Sequence, residues 1–127
     1  MVNRLLQPQE IEVFYVLPAI RRELAMFMKA EGKSQKEIAK LLSVTEPAVS
    51  QYISSKRAAE LKFNDALKAE VKLSAQRITS ETSLMREVQR LLNITRQQRL
   101  VCRMHEALGT VPKKCSVCFD HELIQLK

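Results

Sequence analysis

The stretch that most constrains this chain is Ser34 to Arg57, which reads as two short helices joined by a tight turn. Ser34 followed by Glu37 fits a capping box: the hydroxyl takes one of the amides that the first helical turn leaves without a partner, and the carboxylate reaches back to the cap amide. Ile38, Ala39, Leu41 and Leu42 then recur at helical spacing, and Ser43-Val44 is too short and polar to be anything but a turn. Thr45 caps a second helix. Pro47 is tolerated in its first turn because the amides there have no intrahelical partner, so its missing donor costs little. Val49, Tyr52 and Ile53 supply the apolar face of this second helix.

Two helices crossing at a steep angle need a small residue where their axes approach, here Ala39, and an apolar wedge from the second helix, here Val49. With Gln35, Val44, Tyr52 and the trailing Ser54-Ser55-Lys56-Arg57, this pattern resembles the helix-turn-helix of Cro/repressor-type (XRE) transcriptional regulators. Ser43 departs from that family, which usually places glycine in a left-handed conformation at this point, so a strained serine is expected. The resemblance implies that the second helix enters the major groove of DNA. Thr45, Glu46, Pro47, Ser50 and Gln51 would then meet base edges. Gln51 suits adenine, Ser50 several bases, Glu46 the cytosine amino group, and the Pro47 ring a thymine methyl. Gln35, Ser54, Lys56 and Arg57 would hold phosphates, which sets register and salt dependence. Tyr52 is expected in the core. A plain helical hairpin with no nucleic-acid role is the competing reading.

The rest of the chain is compatible with this. A length of 127 residues suits one domain, or one small domain with an appendage. Only two glycines occur among abundant Leu, Ala, Glu, Lys, Arg and Gln, so an all-α fold is expected. The expected architecture is a helix-turn-helix domain of about five helices over 1–78, followed over 79–127 by C-terminal dimerisation helices and a short Cys/His segment. The net charge of +7 suits a polyanionic partner, double-stranded DNA in this reading. No apolar run approaches a membrane span and no signal-peptide core follows Met1, so a cytoplasmic location with no membrane partner is expected.

Pro8 to Val16 reads as a short helix, with an extended arm as the alternative. A break is expected at Leu17-Pro18, because the residue before proline avoids the α region. From Pro18 to Glu31, Ile20, Leu24, Phe27 and Met28 line one face, and Gly32 ends the helix. Asn64 is a plausible cap for a helix carrying Leu67 and Val71. Thr79 to Ser83 marks a boundary. Beyond it an apolar stripe of Leu84, Val88, Leu91, Leu92, Leu100, Val101, Met104 and Leu108 either pairs two subunits into a homodimer or packs on its own first unit. An interruption is expected at Asn93-Ile94-Thr95, with Thr95 as the cap of a second helix. Arg86, Arg90, Arg96, Arg99 and Arg103 on this stretch read as a solvated basic face.

All three cysteines and both histidines fall in the last fifth of the chain: Cys102, His105, Cys115, Cys118 and His121. Cys102-x2-His105 has helical spacing and Cys115-x2-Cys118 that of a metal knuckle, with Lys113 and Lys114 placed to favour a thiolate. Cys102, Cys115 and Cys118, with His105 or His121 as fourth ligand, fit one Zn²⁺ ion per chain. The same donors fit an iron-sulfur cluster, and unligated thiols are the third reading. The arrangement is similar to small archaeal-type regulators that carry a Cys/His segment after a Cro/repressor-like module. Such a centre would sense redox or metal state. An antitoxin-like or structural interaction protein with a purely structural zinc site is the alternative. With no glycine-rich phosphate loop and no paired-carboxylate signature, an enzyme is not expected.

Overall fold

A computed structural model describes residues 5–54, 61–109 and 111, and among them every regular element is helical. The order is α1 (Pro8–Ile11), a π-helical turn (Glu12–Val16), α2 (Leu17–Ala30), α3 (Gln35–Leu42), α4 (Glu46–Ile53), α5 (Asp65–Arg77), α6 (Glu81–Gln97) and α7 (Leu100–Leu108). The expected all-α class is therefore observed.

The expected break at Leu17-Pro18 is not there. From Pro8 the chain runs helically into α2, with Val16 and Leu17 both in the right-handed helical region. A proline inside an α-helix collides with the carbonyl four residues back and lacks an amide to bond it. Here the preceding turn is wide, the Leu17 amide bonding the Glu12 carbonyl five residues back, and so the backbone ahead of the pyrrolidine ring is respaced without ending the helix. One side of α2 is fully buried: Ile20, Leu24, Ala25 and Met28 are at 0% exposure. It packs against α3, α4, α5 and α6, which makes it the axle of the molecule. Each such aliphatic side chain contributes about 1.5–3 kcal/mol through removal from water. Gly32, at φ 93°, ends α2, its amide bonding Lys29 while the Lys33 amide reaches back to Met28.

The C-terminal apolar stripe is packed within its own chain. Leu91, Leu92, Leu100, Val101 and Met104 belong to the same core as Ile11, Val16 and the α2 face. The interruption lies later than expected. Thr95 caps nothing: it is buried inside α6 and its hydroxyl donates to the Leu92 carbonyl at 2.7 Å, an in-helix bond that hides the hydroxyl without stopping the helix. The stop comes at Gln98-Arg99, where Arg99 takes a left-handed conformation.

The basic face is solvated as expected at Arg86, Arg96, Arg99 and Arg103, which are exposed, while Arg90 is partly buried in a polar network. Glu87 is 2% exposed, and its carboxylate accepts from the Ser74 hydroxyl of α5 at 2.7 Å and from Arg90 Nε at 3.1 Å. Arg90 in turn bonds the Glu70 carboxylate, the Glu70 carbonyl at 3.0 Å and Ser74 Oγ at 2.7 Å. Four side chains thus clamp α5 to α6. Burial works against the Glu87 charge, but Ser74, Arg90 and Arg77 outweigh it and hold the carboxyl below its ordinary value of 4.5. For Arg90, burial opposes the charge and the two glutamates overcome it, raising the guanidinium pKa. Further along, Arg96 forms a two-bond pair with Glu12, at 2.7 and 3.0 Å, that ties α6 to the π turn.

Because Glu87 titrates lower when folded than when unfolded, its contribution is present above the ordinary carboxylate value and is lost as pH falls through the folded one. Glu87→Gln should cost about 1–3 kcal/mol in urea unfolding near neutral pH. That deficit should shrink as the titration is repeated at progressively lower pH, where the wild-type carboxyl protonates too.

Candidate nucleic-acid interface

The α3–α4 hairpin is built as its residues imply. Ser34 Oγ accepts the Glu37 amide at 3.1 Å, and Glu37 Oε1 accepts the Ser34 amide at 3.3 Å, closing the capping box. Thr45 Oγ1 accepts the Ala48 amide at 3.2 Å, two positions into a helix whose first turn contains Pro47. Between the helices, Ser43 sits at φ 56°, ψ 43°. Its amide bonds the Lys40 carbonyl at 3.3 Å and the Val44 amide bonds the Ala39 carbonyl at 3.0 Å. This paired pattern ends a helix through a left-handed residue, and it is the serine departure expected from the sequence.

Burial separates the two sides of the hairpin. Ile38, Ala39, Leu42, Ala48, Val49 and Tyr52 face the core, with Val49 at 0% and Tyr52 at 2% exposure, so Tyr52 is a core residue. Thr45, Glu46, Pro47, Ser50 and Gln51, all assigned to base edges, are exposed, as are Gln35 and Ser54. Together they form the outward surface of α4 and the start of α3. Glu46 occupies the first turn of α4, where a carboxylate also favours the positive end of the helix dipole. The Thr45 hydroxyl accepts in its cap and still has a proton to donate. The Ser54 hydroxyl donates to the Gln51 carbonyl at 3.1 Å, closing the end of α4, so a phosphate would compete with that bond. Lys56 and Arg57 lie outside the described residues. Ahead of and within α5, Lys62 and Lys68 line a concavity with Leu61, Phe63 and the Arg22–Glu23 ion pair of α2, adding positive charge beyond the hairpin that the motif alone did not indicate.

The cysteine and histidine positions are divided. Cys102 is half-buried on α7. His105 is 6% exposed, and its Nε2 lies 2.6 Å from the Leu6 carbonyl. Since a carbonyl only accepts, Nε2 carries the proton and the ring fastens α7 to the segment ahead of α1. Cys115, Cys118 and His121, with Lys113 and Lys114, lie outside the described residues. Among the described residues no group of three or more His, Cys, Asp or Glu side chains is placed to hold a metal ion. Nor is any described helix long and apolar enough to cross a membrane.

In comparisons with known proteins, no family model, no curated protein and no solved structure matches this chain.

The left-handed Ser43 carries a cost that glycine would not. Ser43→Gly should stabilise the protein by about 1 kcal/mol, raising Tm by roughly 3–5 °C in a calorimetric scan, with the hairpin unchanged.

Proposed function

We propose that this protein is a sequence-specific DNA-binding transcriptional regulator that reads the major groove with the exposed face of α4. The observation that carries this reading is the division of the hairpin by burial. The wedge residues Ala39, Val49 and Tyr52 are sealed in the core while Thr45, Glu46, Pro47, Ser50 and Gln51 all stand outside it. That outward run carries side chains suited to base edges. The net charge of +7 and the lysines and arginines beyond α4 support a polyanionic partner. An enzymatic role is not part of this reading.

One hairpin covers little DNA, so useful specificity calls for a homodimer on two half-sites about one helical turn apart. The C-terminal stripe does not supply the pairing surface, since Leu91, Leu92, Leu100, Val101 and Met104 lie in the chain's own core. We also propose that Cys102, Cys115 and Cys118 bind one Zn²⁺ ion or an iron-sulfur cluster that conditions DNA binding on metal or redox state. His105 or His121 would be the fourth ligand; the Nε2–H bond of His105 to the Leu6 carbonyl leaves its Nδ1 as the coordinating nitrogen. The antitoxin-like alternative has no observation that favours it.

Fluorescence anisotropy on a selected DNA site tests the reading. Lys56 and Arg57 from two subunits neutralise four phosphates, so log K should fall against log salt with a slope of about −3 to −4. Lys56→Ala should weaken all sites alike and reduce the slope by about 2 in a dimer, whereas Gln51→Ala should cost about 1–3 kcal/mol and relax preference at one position per half-site. Equal affinity for all sequences in the wild type would overturn the proposal.

A further inference from the structure

The concavity between α2 and α5 is built more firmly than a scatter of surface lysines. Leu61, Lys62 and Phe63, Lys68 of α5, and Arg22 and Glu23 of α2 enclose about 350 Å³. Phe63 is 6% exposed and anchors in the core the segment that carries Lys62. Asn64 fixes the turn that carries Lys68: its Oδ1 accepts the Leu67 amide at 2.8 Å and its carbonyl accepts the Lys68 amide at 3.0 Å. Arg22 and Glu23 neutralise one another across a 2.8 Å bond. Lys62 and Lys68 are exposed and belong to none of the ion pairs among the described residues, so the lining keeps their two positive charges. α2 packs against both α4 and α5, which fixes the concavity and the hairpin to one element. From Ile53, the end of α4, to Lys62 the chain can span at most about 32 Å, less than one helical turn of duplex.

We infer that this concavity seats one phosphate of the DNA backbone between the Lys62 and Lys68 ammonium groups, an anchor outside the hairpin that rests on the DNA-binding reading above. Lysine offers a point charge without the fixed fork of arginine, and two amides at the start of α5 are already bonded to Asn64, so the lining supplies charge more than a directed cradle. Such a seat is weak toward a free anion in water. It is effective toward a phosphate that the rest of the interface delivers, because the second contact is then intramolecular. The seat reads no base; it sets where the duplex lies against α4.

The test uses the full chain and a duplex carrying a site selected from a randomised library, with neutral methylphosphonate walked along each backbone. The double variant Lys62→Gln, Lys68→Gln, changed only at exposed positions, should bind about tenfold more weakly while its ratio of selected to scrambled site stays that of the wild type. Lys72→Gln removes the same kind of charge one turn further along α5, outside the lining, and should cost less than about twofold. One methylphosphonate position per half-site should weaken the wild type by about tenfold and the double variant by less than about twofold. A loss in Lys72→Gln equal to that of the double variant, or methylphosphonate effects identical in the two proteins, would overturn the seat and leave the base-reading proposal standing. Isothermal titration that gives inorganic pyrophosphate a Kd below about 1 mM in the wild type, lost in the double variant, would make this a small-anion site and overturn it as well. A wild type that binds no duplex would remove both proposals.

Discussion

A single left-handed residue sets the geometry on which the candidate interface depends. With Ser43 in that conformation, the Val44 amide can turn back to the Ala39 carbonyl. α4 then leaves α3 at an angle that buries Val49 and Tyr52 while Thr45 to Gln51 stay outside. The strain at Ser43 is offset by that burial, because the wedge residues reach the core only if the turn is tight. α2 completes the arrangement. With its face of Ile20, Leu24, Ala25 and Met28 buried, it packs against both hairpin helices and against α5 and α6.

The C-terminal half is attached by polar clasps as well as by apolar contact. Ser74, Glu87, Arg90 and Glu70 form a network in which each charged group has a partner of opposite sign. Buried ion networks contribute little net stability compared with apolar residues of the same shape, yet losing one member leaves the others uncompensated. The network thus specifies which faces of α5 and α6 meet. Arg96 on Glu12 and His105 on the Leu6 carbonyl do the same for α6 and α7 against the beginning of the chain. α7 touches α1 and the π turn, and these lead directly into α2.

What could be read from the sequence follows from the range of the interactions involved. The caps at Ser34, Thr45 and Asn64, the glycine stop at Gly32 and the left-handed Ser43 are decided within four or five residues, and each appears where its local pattern placed it. The continuity through Pro18 was not legible, because the π turn that accommodates it has no marker in Glu12–Val16. Thr95 presented a capping residue in a helix that its buried neighbours Leu91 and Leu92 keep intact. The ion pairs of Arg90 and Arg96 were not legible because their partners Glu70 and Glu12 lie 20 and 84 residues away. His105 has ligand spacing to Cys102, and only the fold shows that its Nε2 is taken by a carbonyl 99 residues back. The concavity between α2 and α5 is likewise a product of distant segments.

The central claim is that α4 reads DNA sequence, and selection from a randomised duplex library measures this directly. The account predicts enrichment of a two-fold symmetric site whose halves lie about one helical turn apart, with enrichment lost when Ser50 and Gln51 are both replaced by alanine. A wild-type protein that recovers the starting library unchanged, or a double variant that enriches the same site, would contradict it.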